Sequence, residues 1–160
     1  MNSFFILSSG VQETMNVAKT LARQLRGGDI VCLVGELGAG KTTFTKGLAQ
    51  GLNIKESVVN SPTFIFMNYY KGKCPIYHFD FYRIQKNAEL ATIDLEDYFY
   101  GEGLCVIEWP QRLGEAAPEE YFQVTLEHKS ENERKIIFTA LGRKYQDRLM
   151  KIKENLVKEK

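Results

Sequence analysis

Apolar and polar positions cycle along the chain with two periods, and the switches between them mark out the elements. Residues 2–7 read as a first strand. After Ser9, the residues Met15, Ala18, Leu21, Ala22 and Leu25 recur at helical spacing. They predict a helix that opens on a Ser9–Gln12 capping box and runs to about Arg26, where Gly27 and Gly28 supply a left-handed stop. Residues 29–34 form a short apolar, β-branched run of the kind found in buried parallel strands. A second helix follows, with Phe44, Leu48 and Leu52 on its buried face and an end near Gly51.

Beyond residue 60 the period shortens to two. Residues 64–70 and 75–82, joined by a glycine-containing link, predict an antiparallel hairpin. In its second strand Ile76, His78 and Asp80 share one face, and Tyr77, Phe79 and Phe81 the other. Residues 87–99 are acidic and predict one or two short helical turns ending at Gly101. Residues 104–107 are apolar and are followed at once by Glu108. A second hairpin is predicted from residues 122–128 and 135–141. From Lys144 onward, Tyr145, Leu149, Ile152 and Val157 suggest a last helix that docks loosely and frays.

Composition adds little to this picture except in two places. With 160 residues, 44% hydrophobic and 26% charged, the chain fits one ordinary globular domain. No apolar run approaches the 18 residues of a membrane span, and the N-terminus lacks the basic and apolar regions of a signal peptide. Cys32 and Cys105 lie inside apolar runs and read as buried packing residues, and with Cys74 the count is odd, so a reducing cytoplasm is the simplest setting. The net charge of +1 argues against a protein that coats nucleic acid by itself. Residues 143–160, however, carry +4, against −3 for the rest. This basic C-terminal helix is set apart from a domain spanning residues 1–142, either as a solvated face or as a patch for RNA or an acidic partner.

The strongest chemical signal is Gly35-Glu36-Leu37-Gly38-Ala39-Gly40-Lys41-Thr42-Thr43, which fits the phosphate-binding pattern G-x-x-x-x-G-K-[ST]. In such a loop, successive backbone N–H groups form an anion nest that leads into a helix N-terminus. Lys41 would reach the β- and γ-phosphates, and the Thr42 hydroxyl would ligate Mg²⁺. The strand before it and the helix after it are the context the motif requires. No N-K-x-D sequence is present to recognise guanine, so ATP is the expected nucleotide.

Two acids downstream extend the site. Four apolar residues followed by Glu108 look like a strand that presents a Mg²⁺-binding carboxylate at its C-terminal end. Asp80 stands among aromatic and apolar neighbours, where a carboxylate needs a partner or a metal. It serves either in an ion pair with Arg83 or at the Mg²⁺ or the attacking water. His78 is expected to pack or orient rather than to catalyse. Trp109 either walls the site or belongs to the core. Asn60-Ser61-Pro62-Thr63-Phe64 is either an ordinary turn or a segment whose Thr63 senses the γ-phosphate.

Taken in order, Gly-Glu-Leu-Gly-Ala-Gly-Lys-Thr-Thr, Asn-Ser-Pro-Thr-Phe, Tyr-His-Phe-Asp-Phe-Tyr-Arg and Val-Ile-Glu-Trp closely resemble the motifs of the TsaE (YjeE) family over about residues 5–141. The resemblance implies an α/β, P-loop NTPase-like three-layer fold with a mixed sheet that includes antiparallel hairpins. It also implies a weak ATPase that works with TsaB and TsaD in threonylcarbamoylation of the adenosine next to the tRNA anticodon, meeting tRNA through that complex. At matching positions it implies phosphate contacts from Lys41 and the backbone of Gly38, Ala39, Gly40, Thr42 and Thr43. Thr42 and Glu108 would hold Mg²⁺, and Asp80 would orient or activate water or make an outer-shell contact to the metal. Thr63 would belong to a switch-like segment, Trp109 to the site wall, and the regions around Val11 and Arg134 to the adenine contacts. Two rival readings remain: a small-molecule kinase, and a nucleotide-gated adaptor that does not hydrolyse.

Overall fold

The computed structural model describes residues 2–62 and 66–160. Thr63, given a switch role by resemblance, lies outside the described residues. Among the described residues no helix is long and apolar enough to cross a membrane.

The glycine loop leaves the central region of a seven-stranded sheet. Its preceding strand, β2 (Ile30–Val34), lies between β5 (Leu104–Glu108) and β6 (Tyr121–His128) and runs parallel to both. On the β5 side follow β4 (Ile76–Asp80), parallel to β5, and β3 (Met67–Tyr70), antiparallel to β4. On the other side β7 (Arg134–Leu141) pairs antiparallel with β6, and β1 (Ser3–Ser8) pairs antiparallel with β7 at the edge. The order is therefore β1-β7-β6-β2-β5-β4-β3, a mixed sheet containing both expected hairpins.

Alternation along the inner strands divides the core into two layers. Val31, Leu33, Leu104 and Val106 face α1 (Val11–Ala22), α2 (Lys41–Gly51) and α5 (Arg143–Lys158). Ile30, Cys32, Cys105, Ile107 and Phe79 face α3 (Asn87–Leu90), α4 (Leu95–Phe99) and the 3₁₀ turn Pro110–Ala116. Burial pushes the Cys105 thiol up to about 12 and the Cys32 thiol higher still, in keeping with inert packing roles. Gly47 permits the close crossing of α1 and α2, since a Cβ there would stand 2.4 Å from the Met15 carbonyl oxygen.

Three local expectations are corrected. The N-terminus of α1 is held by Glu13 rather than Gln12: the Glu13 carboxylate accepts from the Ser9 N–H at 2.8 Å and the Ser9 hydroxyl at 2.6 Å. These bonds, the hydroxyl's first, hold the Glu13 carboxyl at about 2. Helix α1 ends at Ala22, not near Arg26, because the Arg26 N–H turns to the Asp29 carboxylate at 2.9 Å.

The largest correction concerns α5, which is firmly packed. Tyr145, Leu149, Ile152 and Leu156 are buried, whereas Val157 points outward. The Tyr145 hydroxyl accepts the N–H of Ile30 at 2.8 Å, and Arg148 donates both terminal nitrogens to Asp29 at 2.9 Å. Lys144 Nζ stands 3.3 Å from the same carboxylate. Near the end of the helix, Lys160 pairs with Glu13 at 3.0 Å and Thr20 donates to Glu159 at 2.6 Å. Part of the basic stretch is therefore engaged within the molecule. It neutralises a wholly buried acid at the start of the central strand.

Candidate functional site

Parallel strands leave their carboxyl ends on one edge of a sheet, and ligands of open α/β sheets bind there. On that edge β2 opens into residues 35–40, and α2 begins at Lys41. Gly38 and Gly40 adopt φ of +78° and +110°, which a side chain would strain, so the loop bends back and aims its backbone at the cavity. Thr42 and Thr43 follow in the first turn of α2, whose N-terminus carries the positive end of the helix dipole.

The sheet register delivers both acids to this place. Asp80 and Glu108 are direct neighbours across the β4–β5 ladder, and Leu33 of β2 is the neighbour of Glu108 on the other side. Both acids take the strand parity of His78 and Val106 and so face the α2 layer. Asp80 and Glu108 are 2% and 3% exposed, a burial that carboxylates tolerate only with partners. The Tyr82 N–H donates to Asp80 Oδ1 at 2.9 Å, and the Ser61 hydroxyl to Oδ2 at 3.3 Å. Glu108 Oε1 lies 2.9 Å from His78 Nε2.

Lys41 lies folded over the loop. Its ammonium donates to the carbonyls of Gly35 at 2.7 Å and Glu36 at 2.9 Å, and sits 4.8 Å above the Trp109 ring. Burial pulls its pKa below the ordinary lysine range, while the charges of Glu108 and Asp80 oppose that fall. Trp109 itself holds φ +58° and ψ +51°, a left-handed conformation unfavourable for a bulky residue. That turn ends β5 at Glu108 and brings the indole back over the loop, with the Tyr82 ring 5.0 Å away.

Leu37, Gly38, Gly40, Lys41, Thr42, Thr43, Ser61, Asp80, Tyr82, Glu108 and Trp109 enclose a cavity of about 260 Å³. That is at or below the size of pockets for whole small molecules and suits the phosphate end of a nucleotide. The Thr42 hydroxyl and the Glu108 carboxylate both line the cavity as hard oxygen donors, the chemistry Mg²⁺ prefers. The lining thus brings together Gly38, Gly40, Lys41, Thr42, Thr43, Asp80, Glu108 and Trp109.

The two outlying expectations converge on the same edge from the other side. Arg134 Nε donates to the Ala39 carbonyl at 3.0 Å, which ties β7 to the back of the loop. Ser8 is the register partner of Arg134, and Val11, largely exposed, opens α1 three residues later. Sequence reasoning missed Tyr70, Asn60, Ser61 as an Asp80 partner, and Tyr82. Asn68 opposite His78 in the β3–β4 hairpin is the register that would have placed Tyr70 nearby. The link of residues 71–74 does not fix that register by its length alone.

Comparison with known proteins identifies the family. A profile of the family described as "Threonylcarbamoyl adenosine biosynthesis protein TsaE" matches residues 8–136. The chain is 44% identical over 136 residues to the tRNA threonylcarbamoyladenosine biosynthesis protein TsaE of Bacillus subtilis, covering 84% of each chain. It is 38% identical over 130 residues to the protein of that name from Treponema pallidum, covering 81% of this chain and 96% of that one. In three dimensions it is similar to the crystal structure of Bacillus subtilis YdiB, with a TM-score of 0.80 and 34% identity over 95% of each chain. With matches of this extent across both sequence and fold, the chain belongs to the TsaE family.

Proposed function

We propose that this protein binds MgATP at residues 35–43 and hydrolyses it slowly in tRNA threonylcarbamoyladenosine biosynthesis. Its partners in this reading are TsaB and TsaD, its contact with tRNA is through that complex, and its compartment is the cytoplasm. The observation that carries the ATPase reading is the shared cavity: a glycine loop and Lys41 on one side, and two adjacent buried carboxylates on the other.

In this reading Lys41 exchanges the Gly35 and Glu36 carbonyls for phosphate oxygens, so a buried ammonium gains stronger acceptors than the two it leaves. The N–H groups of Gly38 to Thr43 hold the phosphate oxygens at the start of α2. Thr42 and Glu108 would hold Mg²⁺, which would supply neutralisation of the phosphate charge. Asp80, fixed by the Tyr82 N–H and the Ser61 hydroxyl, orients a water for attack in line with the leaving oxygen. Trp109 and Tyr82 cover the cavity and limit access of bulk water. The arrangement neutralises charge and places a nucleophile, which is most of what phosphoryl transfer asks of a protein.

The test is the rate of phosphate release from ATP by the protein alone, with TsaB and TsaD, and with both plus tRNA. A slow rate that rises with the partners supports the reading. Release that requires an added metabolite as acceptor supports a kinase instead.

A further inference from the structure

A chain of hydrogen bonds, buried at its inner end, runs from Glu108 away from the glycine loop and serves none of the steps above. Glu108 Oε1 meets His78 Nε2 at 2.9 Å, and His78 Nδ1 meets the Tyr70 hydroxyl at 3.0 Å. The Tyr70 hydroxyl accepts the Asn60 N–H at 3.2 Å and has the Asn60 carbonyl, 2.9 Å away, as a second acceptor for its proton. Asn68 Nδ2 lies 3.3 Å from both the Tyr70 hydroxyl and the Asn60 carbonyl. His78 is wholly buried and Tyr70 nearly so. Facing an ionised carboxylate, which only accepts, Nε2 of His78 would donate and leave Nδ1 to accept the single proton of the Tyr70 hydroxyl.

The far end of this chain gives it significance beyond filling a polar interior. Asn60 adjoins Ser61, which lines the same cavity and donates to Asp80 at 3.3 Å. Residues 60 and 61 are thus tied to both acids by separate routes: Ser61 directly to Asp80, and Asn60 through Tyr70 and His78 to Glu108. The bond from His78 to Oε1 orients the carboxylate that would face an ion shared with Thr42, and a change at Glu108 has a continuous hydrogen-bonded path, buried as far as Tyr70, to the backbone at Asn60.

We propose that Tyr70 and His78 are positioning residues that couple metal binding at Glu108 to the placement of residues 60–62. The proposal rests on the nucleotide-site reading above. It assigns the hairpin β3–β4, rather than the glycine loop, the task of reporting that the metal is in place. Partners that orient metal-ligating side chains commonly change metal affinity by about ten- to hundredfold when removed.

The test uses Tyr70→Phe and, separately, His78→Gln, each checked for native folding by circular dichroism and thermal melting. Affinity for a non-hydrolysable ATP analogue is read from the fluorescence of Trp109, the only tryptophan, with Mg²⁺ and with chelator. Hydrogen exchange of the peptide around Asn60 is followed under the same conditions. In the wild type, Mg²⁺ is expected to tighten binding and to alter exchange at Asn60. In Tyr70→Phe the affinity in chelator is expected to be retained, the Mg²⁺-dependent gain to fall by about tenfold or more, and the exchange response to disappear. His78→Gln, should Tyr70→Phe not fold, is expected to behave in the same way. A folded variant that keeps both the wild-type Mg²⁺ gain and the exchange response overturns the coupling while leaving the site reading intact. A wild type that binds no nucleotide overturns both.

Discussion

At Lys41, burial and charge act in opposite directions. Desolvation disfavours the ammonium, while two carbonyls, two nearby carboxylates and the face of Trp109 favour it. The residue is therefore held ready in a cation-binding setting until phosphate competes for it. A hydrogen bond between charged groups is worth about 1.5–3 kcal/mol. Lys41→Ala should accordingly weaken MgATP binding by roughly ten- to hundredfold, as measured by calorimetric titration. Asp80 has a different expected signature. Asp80→Asn should leave binding nearly unchanged and lower single-turnover hydrolysis by about 10²- to 10⁴-fold, the range typical of a lost acid–base or water-positioning group. Equal losses in binding and turnover would place Asp80 at the metal in the ground state instead. Of these residues, the glycine loop was legible in the sequence because its geometry is local: three closely spaced glycines and one lysine suffice to state it. The ties from Glu108 to His78 and from His78 to Tyr70 were not legible, since they depend on registers between strands up to 30 residues apart.

Among the elements, β2 and α5 are bound by the Asp29 cluster. Burial raises the Asp29 pKa, but hydrogen bonds from Arg148 and the Arg26 N–H, with the charges of Arg148 and Lys144, outweigh it and hold the carboxyl below the usual carboxylate range. Its folded pKa being depressed, the stabilisation is fully present above the unfolded value of about 4 and is lost as pH falls below it. Thermal melting should therefore show a fall in Tm in acid that Arg148→Ala largely removes, at the cost of lower stability near pH 7. Removing one partner of a buried pair costs about 3–5 kcal/mol, and the retained Lys144 places this case near the lower end. The crossing of α1 and α2 gives a second test. Gly47→Ala would gain up to about 1 kcal/mol of helix propensity. It also forces a methyl to within 2.4 Å of the Met15 carbonyl, and such overpacking costs about 1–3 kcal/mol. A net loss of stability is expected on chemical denaturation, and a gain would mean the helices part without strain. The periodicity of each strand and of α1 and α2 was readable, because packing against one layer imposes it locally. The end of α1 and the docking of α5 were not, because Asp29 governs both from outside either helix.

For the whole molecule, position in the sheet does the main work. The strand order places β2 between two parallel neighbours, so its carboxyl end lies beside that of β5 and, one strand further, that of β4. The loop and both acids meet without any of them being adjacent in sequence. Neither hairpin pattern contains this order, which comes from how β6 and β5 flank β2. The basic C-terminal stretch changes meaning at this scale as well, since Arg148, Lys144 and Lys160 are engaged with Asp29 and Glu13. The most direct measurement is calorimetric titration of MgATP into the wild-type protein and into Lys41→Ala. Saturable 1:1 binding to the wild type, much weakened in the variant and weakened in the wild type when Mg²⁺ is chelated, is the expected result. Equal binding by the two proteins would show that the nucleotide does not sit in the loop of residues 35–43, and would contradict the site assignment at its root.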